Sequence, residues 1–286
     1  MSNPLKVGVV GLGLIGGSMA RAYSSAGHAV LAHDINNSAL EAALAENAIC
    51  GRLTAENVAE CDVIFLGIYP RAAMAWLRVT APHLTERSVV IDLCGTKRGI
   101  CETCFGMARE YGFTFVGGHP MAGTQYSGFE NSKNGLFKGA PMVIVPANPD
   151  DEKVLTRVRE LLAPVGFGSI TVSTAEMHDR IIAFTSQLAH VVSNAYVKSP
   201  NAQVHKGFSA GSYRDLTRVA WLNEHMWTEL FMENSDYLTE EIDGIIKALT
   251  AYRDAMAAGD AGRLQELLRE GRISKEKVDR GSEEDQ

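Results

Sequence analysis

The chain has 286 residues, 46% of them hydrophobic and 21% charged, enough to bury one large core or two ordinary ones. A formal net charge of −7 with no basic run excludes a nucleic-acid or polyanion partner, and no apolar stretch approaches the ~18 residues of a membrane span. Residues 1–6 lead straight into a β-branched segment with no room for a signal peptide, and the five cysteines (50, 61, 94, 101 and 104) are an odd set confined to the first half. They read as reduced thiols of a cytoplasmic protein. Cys101-Glu102-Thr103-Cys104 lacks the second pair that a zinc site needs, so no metal is expected.

In chain order, Val7, Val9 and Val10 read as a strand running into Gly11-Leu12-Gly13-Leu14-Ile15-Gly16, and residues 18–23 read as a helix. In a strand–turn–helix unit of this spacing, Gly11 makes the tight turn and Gly13 lets backbone approach a diphosphate. Gly16 lets the helix lie close on the strand. The N–H groups at the helix start, around Leu14 and Ile15, then face an anion. The next strand, 29–33, ends in Asp34, placed to accept hydrogen bonds from the two ribose hydroxyls and to repel a 2′-phosphate. No arginine follows directly, so NAD is expected rather than NADP. The alternative role for Asp34 is to cap the helix predicted over 38–46.

Further strands are predicted at 61–67, 88–92, 113–117, 142–146 and 168–173, separated by helical stretches. Short β-branched runs alternating with helices specify a mostly parallel, doubly wound α/β sheet of Rossmann type over 1–172, with ligands at the carboxyl ends of the strands. After that the strand signals stop. Ser173 and Glu176 fit a capping box opening a helix to about 198, and more helices are expected near 209–219, 224–258 and 262–269. This gives an all-α domain over 173–273 and a frayed polar tail over 274–286. The 224–258 stretch is apolar on several faces, so one face is expected to meet another subunit.

Histidine suits the proton transfer that accompanies hydride exchange near neutral pH. His119 directly follows a sheet strand, inside a run whose glycines, Gly117 and Gly118, are read as bringing backbone close to a ligand. His190 shares a helix face with Gln187, and the pair is either a satisfied core network or a pocket wall. Arg214 and Arg218 stand i, i+4 and either fork onto carboxylates from one helix face or form surface ion pairs. Lys97 and Arg98 carry the same ambiguity. Thr96 either bonds substrate or caps the next helix.

Four blocks in order resemble one family over nearly the whole chain, the prephenate/arogenate dehydrogenases of tyrosine biosynthesis. They are 11–18; 118–124 with Gly128, Leu136 and Phe137; His178-Asp179 with Ser186, Leu188 and His190; and Tyr213-Arg214-Asp215, Thr217 and Arg218 followed by Met226-Trp227. The resemblance implies a two-domain plan like that of 6-phosphogluconate dehydrogenase, with a Rossmann domain before a helical domain that forms a homodimer. It implies that His119 takes the proton of the ring C4 hydroxyl as hydride leaves C4 for NAD, after which loss of CO2 makes the ring aromatic. By the same resemblance Thr96 lies near that hydroxyl and the nicotinamide, Arg218 holds a substrate carboxylate and His190 lines the pocket. Many members carry glutamate at position 125 and histidine at position 187, where this chain has Gln125 and Gln187. Losing a carboxylate that would welcome the ammonium of arogenate favours prephenate. No regulatory domain is expected, so tyrosine feedback, if present, acts by direct competition. Other β-hydroxyacid or imine reductases of the same plan, and a non-catalytic NAD sensor, are the rival readings.

Overall fold

The computed structural model describes residues 4–124 and 126–284. The chain alternates strand and helix through β1 (Lys6–Val10), α1 (Leu14–Ser25), β2 (Ala29–His33), α2 (Asn37–Ala45), β3 (Gly51–Arg52), β4 (Val63–Leu66), α3 (Pro70–Thr80), β5 (Val89–Asp92) and α4 (Arg98–Tyr111). It continues through β6 (Thr114–Pro120), β7 (Pro141–Pro146), α5 (Glu152–Leu162) and β8 (Ser169–Val172). Among the described residues these make one sheet in the order β3-β2-β1-β4-β5-β6-β7-β8, parallel except for the β6/β7 pair.

Alternation along each strand sends successive side chains to opposite faces, and both faces are buried. Val7, Val9, Val63, Phe65 and Ile91 pack with Met19 and Tyr23 of α1 and with Leu155 and Leu161 of α5. Val10, Ile64, Leu66 and Val90 pack on the other side with Leu77 of α3 and with Ile100, Cys101 and Cys104 of α4. The Tyr23 hydroxyl, buried under the first layer, donates to the Leu161 carbonyl. Cys101 and Cys104 are free thiols whose pKa burial pushes up, that of Cys104 to about 12, so they are packing residues held protonated.

The strand order reverses between β1 and β4, and the crevice at their carboxyl ends is where this architecture binds ligands. Gly11 turns there with φ +88°, and a Cβ on it would lie 2.7 Å from the Gly67 carbonyl oxygen. A Cβ on Gly16 would lie 1.9 Å from the Gly11 carbonyl oxygen, backbone against backbone, whereas a Cβ on Gly13 meets nothing within 4 Å.

Beyond β8 the chain is helical: α6 (Ala175–Ile182), a π-helical turn (Ala183–Leu188), α7 (Ala189–Tyr196), α8 (Gly211–Thr217) and α9 (Glu224–Glu233). The cap of α6 is Thr174, which accepts from the Met177 N–H, one residue later than the expected Ser173. The apolar stretch expected as a single helix over 224–258 is broken at Asn234 into α9 and α10 (Ser235–Ala257), because the Asn234 side chain is committed to a buried network with Gln187. By packing, the chain forms two compact units, Met1–Asn234 and Ser235–Gln286. In the second, α10 and α11 (Ala261–Glu284) pack on each other, the Tyr252 hydroxyl donating to the Leu267 carbonyl at 3.1 Å. The stretch read as a frayed tail continues α11 to Glu284. Ion pairs Arg272–Glu276 and Lys275–Asp279, each i, i+4, supply the stabilisation of about 0.2–0.5 kcal/mol apiece that a polar helix end draws on.

The crowding at Gly16 makes a contrast measurable by thermal unfolding. Gly16→Ala forces two backbone segments apart at a cost of about 1–3 kcal/mol and is expected to lower Tm by about 2–4 °C for each of these. Gly13→Ala, whose methyl enters open space, is expected to leave Tm unchanged. Equal losses in the two variants would refute the close approach.

Candidate active site

Two groups of residues gather at the carboxyl ends of the sheet strands. The first is the glycine turn. Helix α1 begins at Leu14 with Gly13 as its N-cap and no side-chain cap, so the N–H groups of Leu14, Ile15 and Gly16 have no intrahelical partner. Asp34 accepts from the Leu12 N–H at 2.6 Å and, on its other oxygen, from the Asn36 N–H at 2.7 Å. The cap of α2 is Asn36, not Asp34. Asp34 therefore anchors the turn and keeps lone pairs for two ribose hydroxyls. Free N–H groups at a positive helix end, open space at Gly13 and this carboxylate together fit a dinucleotide diphosphate and ribose.

The second group surrounds His119, near the end of β6. Its Nδ1 lies 2.9 Å from His178 Nε2, and His178 Nδ1 lies 2.7 Å from Asp179 Oδ1. Asp179 Oδ1 also accepts from the Lys97 N–H at 2.7 Å, and Oδ2 accepts from the Arg98 N–H at 2.9 Å and Arg98 Nε at 3.3 Å. Burial would raise the Asp179 pKa, but the hydrogen bonds from His178, Arg98 and Lys97 outweigh it and hold the carboxyl below its ordinary value. An ionised Asp179 requires a proton on His178 Nδ1. Burial lowers the His178 pKa, Asp179 only partly opposing it, so the ring is neutral and its Nε2 is an acceptor. His119 must then donate from Nδ1, which leaves the lone pair on its Nε2.

His119 is itself held well below its ordinary pKa of 6.5, by burial first, then by His178 and by the Lys97 cation. Lys97 has no exposed surface, and burial works to neutralise it, yet the adjoining Asp92 carboxylate keeps it protonated. Asp92 also accepts from the Cys94 N–H at 2.9 Å and the Gly118 N–H at 3.1 Å, so it fixes the residue next to His119. Gly117 and Gly118 are required by packing. A Cβ on the first would lie 2.6 Å from Cys101 Sγ, and on the second 2.5 Å from the Asp92 carbonyl oxygen. Their smallness lets α4 and β5 close on the strand that carries His119.

The other expected residues fall in several places. Thr96 is buried and does not cap α4, whose N-cap is Lys97; its hydroxyl donates to Glu233 Oε2 at 2.5 Å. Of the two readings open for Gln187, core network or pocket wall, the structure shows the first, and not the place near the substrate that the resemblance suggested. It donates to the Leu230 carbonyl at 3.1 Å and accepts from Asn234 at 2.8 Å, so both ends of its amide are engaged. Asn234 also donates to the Asp179 carbonyl at 2.8 Å and accepts from Arg98 at 2.9 Å. His190 lies at a pocket lined by Asn194, Lys198, Trp227 and Phe231, with its Nδ1 on the Val219 carbonyl at 2.8 Å and its ring 3.8 Å from that of Trp227. Its pKa is lowered by burial first and also by the charge of Arg218, which adjoins the Val219 that His190 contacts. For Arg214 the structure shows the surface ion pair, near the end of α8. Arg214 stands exposed, 3.9 Å from Asp215. Gln125 lies outside the described residues.

Local sequence pattern assigns no role to Asp92, Asp179, Glu233 or Asn234. Two left a signal: Asp92 is an acid closing an apolar strand, and Asp179 adjoins a histidine in a motif of the family resembled.

Comparison with known proteins places this geometry. Residues 19–171 match the family description "Prephenate dehydrogenase, nucleotide-binding domain" and residues 174–270 match "Prephenate dehydrogenase, dimerization domain". Cyclohexadienyl dehydrogenase of Zymomonas mobilis is 28% identical over 276 residues, covering 92% of both chains. The crystal structure of prephenate dehydrogenase from A. aeolicus, in complex with hydroxyphenyl propionate and NAD+, superposes with a TM-score of 0.83 at 26% identity over 97% of this chain and 99% of that one. Arogenate dehydrogenase of Synechocystis superposes with a TM-score of 0.79 at 26% identity over 96% of this chain and 100% of that one. The cofactor is NAD, and the geometry of the glycine turn and Asp34 fits it. An oxidoreductase with a nucleotide-binding domain ahead of a dimerisation domain, the chain belongs to the prephenate dehydrogenase family.

Proposed function

We propose that the protein catalyses the NAD-dependent oxidative decarboxylation of prephenate to 4-hydroxyphenylpyruvate, as a homodimer. The observation that carries this is a neutral His119 whose Nδ1 hydrogen is committed to His178, so that Nε2 is the basic atom. Bound NAD, held by the α1 N-terminus and Asp34, supplies the hydride acceptor for ring C4. His119 Nε2 takes the proton of the C4 hydroxyl, and Asp179, through His178, stabilises the imidazolium that results. Loss of the ring carboxylate as CO2 leaves an aromatic ring, which makes the reaction strongly downhill. Arg218, next in sequence to the Val219 that His190 contacts, supplies the cation for a substrate carboxylate. Gln125, an amide where many relatives have a carboxylate, provides no anion for an ammonium, which favours prephenate over arogenate. Ile246, Leu249 and Met256 lie on one face of α10 and are exposed, as a subunit-facing surface requires.

The deciding assay is NADH formation with prephenate and arogenate side by side. Turnover of prephenate is expected, and preference for arogenate would overturn the substrate assignment. His119→Asn is expected to lose turnover by ~10²-fold or more while retaining NADH binding. In the unaltered enzyme the base must be neutral, and its depressed pKa moves the acid limb of kcat/KM below pH 6.5, the ordinary histidine value. An unchanged rate in His119→Asn would remove His119 from the mechanism. Arg218→Ala is expected to raise KM for the substrate, and an unaltered KM would assign the carboxylate to another cation.

A further inference from the structure

Thr96 sits in the turn after β5, and its hydroxyl crosses from there to α9. The last residue of α9, Glu233, receives it at 2.5 Å. Helix α9 is held against this turn independently: Leu230 packs over Gly95, where a Cβ would lie 3.1 Å from Leu230 Cδ1, and Gln187 and Asn234 tie both sides of the contact into the buried network. The Glu233 carboxylate is therefore delivered to Thr96 by packing, not by a flexible side chain finding it.

We propose that Glu233 is a positioning residue that takes the Thr96 hydroxyl hydrogen, so that Thr96 offers the reactants only lone pairs. A hydroxyl has one hydrogen, and once it is committed to a carboxylate the oxygen acts purely as an acceptor. This rests on the proposed function, in which Thr96 adjoins the ring hydroxyl and the nicotinamide. The ring hydroxyl hydrogen goes to His119, so the group that an acceptor-only Thr96 would take is an N–H donor of the bound cofactor. Glu233 would then decide what Thr96 can bind without itself touching the reactants. The electrostatics around Glu233 support a deliberate placement. Burial raises its pKa, as do Glu229 on its own helix and Asp179 of α6, while Thr96 and the Arg71 cation of α3 lower it. The net effect holds the Glu233 pKa above its ordinary value, which makes the carboxylate a stronger acceptor for the Thr96 hydrogen.

The test is a cycle of Glu233→Ala, Thr96→Val and the double variant, with Glu233→Gln beside them. With NAD and prephenate, Glu233→Ala is expected to lower kcat about tenfold or more with KM for prephenate little changed, the loss of a hydrogen bond to a charged group. Glu233→Gln keeps an oxygen that accepts from Thr96 and is expected to recover most of that loss. The double variant is expected to be no slower than Thr96→Val alone, because Glu233 acts through Thr96. Additive losses, or a Glu233→Ala enzyme as fast as the unaltered one, would overturn the proposal. A second readout needs no substrate. By 13C NMR of the carboxyl, Thr96→Val is expected to raise the Glu233 pKa, since it removes a donor that favours the charged form, and an unmoved titration would also overturn it. Inactivity on both prephenate and arogenate would refute the substrate reading, and the titration would then decide the Thr96–Glu233 pair by itself.

Discussion

The arrangement around His119 depends on one buried carboxylate. Asp179 has no exposed surface, and a charge so placed costs several kcal/mol of lost hydration unless donors surround it. It receives two backbone N–H groups from the turn after β5, the Arg98 guanidinium and the His178 ring. Hydrogen bonds to an ionised group contribute about 1.5–3 kcal/mol each, so four of them offset the burial. The consequence is geometric as well as energetic. Satisfying Asp179 docks α6 on the turn after β5 and fixes the protonated nitrogen of His178, and through it that of His119.

A second buried charge works on the same histidine from the other side. Lys97 cannot leave its protonated state beside Asp92, and its cation opposes protonation of His119 and His178. Asp92 in turn holds the Gly118 N–H, so the atoms that set the charge near His119 also set its position on β6. Gly117 and Gly118 belong to this device, because any side chain there would push α4 and β5 away. The depressed pKa of His119 thus results from how closely three elements approach.

The π-helical turn over 183–188 bears on the same point. An extra residue in the helical repeat rotates the residues C-terminal to it, and it falls where Gln187 enters the buried amide network and His190 opens onto the pocket with Trp227. The helix thereby serves two neighbourhoods of different polarity. At the junction of α9 and α10, Asn234 ends a helix whose sequence pattern would let it run on. Its side chain bridges Arg98, the Asp179 backbone and Gln187, a demand that no local propensity expresses.

Much of this molecule is written locally. The glycine turn, Asp34, the alternation of β-branched runs with helices and the change of texture after Val172 stem from backbone sterics and side-chain period, which act over a few residues, and they appear where expected. His119 was legible for the same reason, as a histidine at the end of a strand. The partner of Thr96, the break at Asn234, the chain from His119 to Asp179 and the choice of the core reading for Gln187 were not, because each depends on which groups from distant segments are left to satisfy a buried donor or acceptor. Local sequence determined which residues could serve a nucleotide and a proton. Tertiary packing decided which of them stand together and with what partners, since burial alone makes an unpaired polar group expensive enough to dictate its neighbour.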